Sequence, residues 1–100
     1  MFRDLIGVPN FDPAEAQNAT DDPLFVRAAA RAISVLTAFE AARKPLTLGE
    51  IAVLSSLDRS AAQRMVHTLM SLGMIVRDRE GRGYLPGKRV LTMAHSALRL

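Results

Sequence analysis

The sequence predicts a mainly α domain that carries one small β-hairpin, and three observations lead there. Apolar residues recur every three or four positions in four separate stretches, the spacing of helices that bury one face. Hydrophobic residues make up 49% of the chain but aromatic ones only 5%, so the core is aliphatic and alanine-rich, which suits helix packing. One stretch, Met74 to Pro86, breaks the helical period and orders β-branched, charged and glycine residues as two strands around a turn. A chain of 100 residues makes one small domain with a modest core.

Residues 1–23 hold three of the five prolines and five acidic side chains without a sustained period, which predicts a loosely ordered arm. Asp22 before Pro23 predicts a helix start: aspartate accepts from open amides, and proline at the first helical position sacrifices no hydrogen bond. Phe25, Ala29, Ala32, Leu36 and Phe39 then alternate by four and three. The expected first helix runs from about Pro23 to Ala42, with Arg43 and Lys44 near its negative pole and Pro45 beyond. Thr47 and Glu50 have the spacing of a capping box, and Leu46 and Ile51 that of a hydrophobic staple. A short helix from about Leu48 to Ser55 follows, with Leu48, Ile51 and Leu54 facing inward.

After a break at Ser56 and Leu57, Asp58 caps the next helix, whose apolar stripe is Ala62, Met65, Val66, Leu69 and Leu72. Gly73 tolerates the left-handed exit conformation and stops it. Met74 to Asp78 and Tyr84 to Pro86 read as the strands of a hairpin, with Arg79 to Gly83 as its turn; Pro86 fits only an edge strand or a strand end. From Lys88, the residues Val90, Leu91, Ala94, Ala97 and Leu98 predict a terminal helix.

Helix, helix, tight turn, helix, basic hairpin is the order of a winged helix-turn-helix: a three-helix core, a two-stranded wing and a C-terminal linker helix. The expected organisation is an N-terminal arm over residues 1–23, the winged domain over 24–87, and the start of a linker or dimerisation helix over 88–100. Charge follows that order. Residues 1–55 carry five basic and seven acidic side chains, net −2, and residues 56–100 carry eight basic and three acidic, net +5. A positive half in a small domain attracts polyanions, nucleic acid before acidic membrane surface.

The helix after the turn holds Arg59, Ser60, Gln63 and Arg64 in its first two turns, where a helix seated in the major groove touches bases and phosphates. Arginine and glutamine make bidentate contacts to guanine and adenine edges, while Ser60 and the helix N-terminus suit phosphate. His67 lies further along and reaches the backbone. Arg79 and Arg82 flank the hairpin tip, where long cations follow a phosphate strand or enter the minor groove; the bland alternative is two solvated turn residues.

The run PLTLGEIAVLSSLDRSAAQRMVHTLMSLGMIVRD, then GRGYLPGKRVL, resembles the N-terminal DNA-binding domain of the IclR family of bacterial transcriptional regulators. The likeness extends from about Leu24 to Leu91 and is specific in its ordered combination rather than in any one motif. It implies a winged helix-turn-helix that binds operator DNA as a dimer, joined through a linker helix to a C-terminal domain that senses a small-molecule effector; that second domain is expected to be absent from this sequence. The resemblance maps base-reading positions onto Arg59, Ser60, Ala61, Gln63 and Arg64. Two departures matter: the family often has glycine where Ser56 stands and threonine where Ala61 stands, which bears on the turn and on a hydroxyl available to phosphate.

The expectation is therefore a cytoplasmic, sequence-specific transcriptional regulator, repressor or activator, which binds a palindromic double-stranded operator as a homodimer without a cofactor. A second reading is a protein–protein interaction module that modulates full-length regulators. Catalysis is a poor reading: Ser60 has no base and acid partners in order, and no phosphate-cradling glycine motif occurs. His67 and His95, without cysteine or a carboxylate cluster, do not make a metal site. The absence of cysteine removes any disulfide framework. No apolar run is long enough to cross a bilayer, and Met1 to Pro9 is too short for a signal-peptide core.

Overall fold

The computed structural model describes residues 22–100, so nearly all of the predicted N-terminal arm lies outside the described residues. The elements are helix α1 (Arg27–Thr37), helix α2 (Leu48–Leu54), helix α3 (Arg59–Ser71), strand β1 (Ile75–Arg77), strand β2 (Tyr84–Pro86) and helix α4 (Lys88–Leu98). This is the predicted mainly helical chain with an antiparallel hairpin.

Helix α1 is shorter at both ends than the periodicity suggested. Asp22 Oδ1 accepts from the Leu24 N–H at 2.9 Å as a cap would, but the chain then leaves the helical path, with Val26 extended at φ −99°, ψ 103°. Asp22 and Pro23 thus form a turn, and the helix begins four residues after Pro23. At the other end the Thr37 hydroxyl donates to the Ser34 carbonyl at 2.8 Å. The Ala38 N–H is shared between the Ser34 and Val35 carbonyls, and successive i→i−3 bonds, Phe39 to Leu36 and Glu40 to Thr37, tighten the chain out of the α-helix. These turns carry Phe39 into the core, so Arg43 and Lys44 stand beyond the helix rather than at its pole.

The capping box of α2 is complete. Thr47 Oγ1 accepts the Glu50 N–H at 3.1 Å, and Glu50 Oε1 accepts the Thr47 N–H at 2.9 Å. Leu46 and Ile51, the staple pair, are both buried in the core. Leu48 is partly buried against that core, but Leu54, expected to face inward, is 49% exposed; Ala52 and Ser55 turn inward instead. The helix is only two turns long, so a small rotation moves its last residue off the buried stripe.

Both tight exits follow one geometry. After α2, the Ser56 N–H donates to the Val53 carbonyl and the Leu57 N–H to the Ala52 carbonyl, with Ser56 at φ 57°. After α3, Gly73 donates to Met70 and Met74 to Leu69, with Gly73 at φ 77°. Each is a Schellman motif, in which a left-handed residue lets its own amide and the next one satisfy the open carbonyls.

The core gathers Val35 and Phe39 from the first segment, Leu46 and Ile51 around α2, Val66 and Leu69 from α3, and Ile75 from β1. In the hairpin Ile75 pairs with Pro86, Val76 with Leu85 and Arg77 with Tyr84. Pro86 is a strand end, as its missing N–H requires. A one-residue third strand, unforeseen in the sequence, completes the sheet: Leu46 and Tyr84 exchange both backbone bonds, at 2.9 and 2.7 Å. Gly83 permits this, since a Cβ there would collide with the Leu46 carbonyl. At the base of the wing the Gly87 N–H donates to the Met74 carbonyl at 2.7 Å and the Arg89 N–H to the Gly73 carbonyl at 3.3 Å. A Cβ on Gly87 would strike the same Gly73 carbonyl.

Candidate nucleic-acid interface

Helix α3 is positioned by its two ends and its buried stripe. Asp58 Oδ1 accepts the Ala61 N–H at 2.7 Å, which fixes the start. Ala62, Val66 and Leu69 are buried, and at 100° per residue that stripe turns Ser60, Arg64 and His67 to the opposite side, with Gln63 on one flank. Ser60, Gln63, Arg64 and His67 are all exposed and Ala61 is half-buried. Arg59 is exposed too, and it lies along the start of α2, its Nη1 3.6 Å from where a Cβ would stand on Gly49.

The wing tip is organised by Asp78, a nearly buried carboxylate that sequence reasoning passed over. Its Oδ2 accepts the backbone N–H groups of Glu80 and Arg82, each at 3.3 Å, and the Arg82 Nε–H at 3.0 Å. The Arg82 guanidinium holds the Asp78 carboxyl below its ordinary range, and the backbone bonds act in the same direction. Arg82 also stands 3.6 Å from Glu80, yet its side chain remains 61% exposed. Arg79 is exposed. The two tip arginines therefore differ: Arg82 serves first as an internal brace and carries partly neutralised charge, whereas Arg79 has no ion pair with a described carboxylate.

A cavity of about 230 Å³ lies between α3 and the root of the wing, lined by Leu48, Gln63, Val66, His67, Met70, Arg77 and Tyr84. It brings Gln63 and His67 beside the wing, but not Arg79 or Arg82, which belong to the distal loop. Arg77 is a cation of this region that the sequence reading missed. Its guanidinium carbon stands 4.9 Å from the Tyr84 ring centroid, and its Nη2 donates to the Tyr84 hydroxyl at 3.0 Å. The signal was in the hairpin register, since pairing Ile75 with Pro86 sets Arg77 opposite Tyr84.

A second cavity, of about 490 Å³, is lined by Ala38, Ala41, Ala42, Leu46 and Leu54 with Arg43, Lys44 and Glu50 at its rim. Lys44 and Glu50 pair there at 2.7 Å, and the ammonium, followed by the Thr47 N–H, lowers the Glu50 pKa to about 2. Among the described residues no three His, Asp or Glu side chains assemble as a metal site, and no helix is long and apolar enough to cross a membrane. The outward side of α3 is an exposed polar helix face flanked by cations.

Comparison with known proteins agrees with this geometry. Residues 28–79 match the IclR helix-turn-helix domain. The Pca regulon regulatory protein of Pseudomonas putida is 37% identical over 82 residues, which cover 82% of this chain and 28% of that protein. The crystal structure of an IclR family transcriptional regulator from Brucella abortus superposes with a TM-score of 0.76 at 30% identity, covering 92% of this chain and 35% of the other. A transcriptional regulator from Rhodococcus sp. RHA1 superposes at 0.63 with 28% identity, covering 75% and 28% of the two chains. The chain thus spans about a third or less of the length of these relatives. Through its winged helix-turn-helix it belongs to the IclR family of DNA-binding transcriptional regulators.

Proposed function

We propose that this chain binds a specific operator by seating α3 in the major groove and resting the wing on the flanking backbone. Arg59, Gln63 and Arg64 read base edges, Ser60 and Ala61 lie against the phosphate strand at the helix start, and His67 meets the backbone further along. Arg79 follows a phosphate strand or enters the minor groove, and Arg82 shapes the tip while lending its outer donors to the same contact. The observation that carries this reading is the two-sidedness of α3. Ala62, Val66 and Leu69 are buried, while Ser60, Gln63, Arg64 and His67 are exposed, with neither Arg59 nor Arg64 paired to a described carboxylate.

The working unit is a homodimer on a palindrome. Residues 24–87 form the reading domain and residues 88–100 the start of a dimerisation helix. Helix α4 buries no residue of its own, and Leu91, Met93 and Leu98 are each more than half exposed. With Ile33 of α1, also half exposed, they offer an apolar surface for a second copy. Two-fold symmetry places two α3 helices about one DNA turn apart, roughly 34 Å, and supplies the specificity that one small domain lacks. Occupancy of the operator, in the cytoplasm, blocks or recruits polymerase.

Selection from random duplexes, followed by salt titration of the winning site, tests the proposal. A winner with inverted repeats, bound at least 100-fold more tightly than a scrambled duplex, is the expected result. Equal affinity for winner and scramble would overturn it. Sedimentation that shows only monomer on the palindrome would remove the dimer.

A further inference from the structure

We infer that Arg77 is a DNA-backbone anchor at the root of the wing, held ready for phosphate by Tyr84, in a position between the groove-reading helix and the wing tip. The inference deepens the operator-binding reading above and rests on it.

The anchor is built by register. Arg77 and Tyr84 face each other across the hairpin, and Tyr84 is itself fixed by the backbone exchange with Leu46. The ring then holds the guanidinium twice: its face lies 4.9 Å from the guanidinium carbon, and its hydroxyl takes one Nη2 hydrogen at 3.0 Å. An arginine has five N–H donors, so this engagement leaves most of them for a second acceptor. Arg77 is exposed and makes no ion pair with a described carboxylate, whereas Arg82 is partly neutralised by Asp78 and Glu80. Of the wing cations, Arg77 is thus the one restrained by the fold yet still carrying its charge outward.

Position decides which part of the duplex it meets. Arg77 shares a cavity wall with Gln63 and Met70 on the flank of α3 and with His67, where that flank meets the outward side. A helix in a major groove of about 12 Å has base edges ahead of it and a phosphate strand along each flank. A cation stacked on the wing root is therefore beside the strand. Restraint by the ring also means that less side-chain freedom is lost when the contact forms, and stacking with an aromatic face suits arginine rather than lysine.

The test uses the whole 100-residue chain and the duplex that wins the selection described above. Arg77→Ala and the neutral, similarly sized Arg77→Gln are each expected to weaken binding on the order of tenfold and to make the slope of log Kobs against log salt shallower by about 0.9, the loss of one phosphate contact. The ranking of point variants of the site stays as for the parent protein. Arg77→Lys keeps the slope and loses a few-fold in affinity, and Tyr84→Phe, which retains the ring, behaves in the same way. Thermal melts of each variant identify any that fail to fold. If Arg77→Gln melts like the parent and the slope is unchanged, or if preference shifts at a single base pair, Arg77 is not a backbone anchor, while selective binding by the parent would leave the functional reading standing. If the parent itself does not distinguish winner from scramble, both fall together.

Discussion

Replacing Ser56 by glycine is expected to stabilise the domain, because Ser56 holds the left-handed position of the turn between α2 and α3. Its φ is 57°, and both bonds of the exit motif, to Val53 and Ala52, depend on that conformation. A non-glycine residue there costs about 1–2 kcal/mol. Glycine removes that cost but adds unfolded-state entropy of about 0.5–1 kcal/mol. Ser56 is exposed, so little packing is lost, and the net gain is about 0.5–1 kcal/mol, or roughly 2–8 °C in Tm for a domain of this size. Thermal and urea unfolding with an unchanged m-value are the measurements. Gly73→Ala supplies the mirror experiment at φ 77°, where a Cβ meets nothing nearer than the Arg89 Cβ at 3.7 Å; the same two terms then act with opposite sign, and a loss of about 0.5–1 kcal/mol is expected. A Ser56→Gly protein that melts at or below the parent temperature would refute the account of the turn.

Other outcomes follow from the same structure. Arg64→Ala is expected to cost on the order of 1–3 kcal/mol of DNA affinity and to relax base preference, read by titration against single-position variants of the operator. Arg82→Ala weakens binding across all sequences and flattens the salt dependence, and it also frees Asp78, so the wing tip gains hydrogen-exchange rate; equal, sequence-blind losses for both variants contradict these roles. Gly83→Ala drives a Cβ into the Leu46 backbone and is expected to destabilise by about 2–4 kcal/mol in urea unfolding. For Glu50, with a pKa lowered from 4.5 to about 2, the ionised form is favoured by folding, so its contribution is full above about 4.5 and is lost as pH falls toward 2. Stability measured by urea unfolding across that window has a shallower pH slope in Glu50→Gln, and an unaltered slope counts against the Lys44–Glu50 pairing.

What could be read in the sequence was whatever the chain settles within a few neighbours. Thr47 and Glu50 satisfy each other's amides three residues apart, and the Asp58 cap and the Gly73 exit are just as local, so α2, α3 and the turn between them were legible. The stripe of α3 likewise fixed which side chains face out, except at Leu72, which the period assigned to the core and the helix exit leaves 61% exposed. Asp22–Pro23 was ambiguous, because the same aspartate-to-amide contact opens a helix or closes a turn, and the extended Val26 decides it. The pairing of Leu46 with Tyr84 spans almost forty positions and involves one residue on each side, so it leaves no period to detect. Asp78 was read as the end of a strand because its role depends on amides folded back around it. Arg77 was overlooked for a related reason: a cation gains its partner only when the register of the hairpin is known.

The contact between Gly87 and Gly73 has a bearing on how this architecture tolerates change. The end of α3, the start of β1 and the start of α4 are joined there by main chain alone, through bonds from Gly87 to Met74 and from Arg89 to Gly73. The hairpin between them is a closed excursion whose two feet stand on the same spot. Lengthening or shortening its tip leaves the angle between α3 and α4 untouched, whereas one methyl group at the foot would prise them apart.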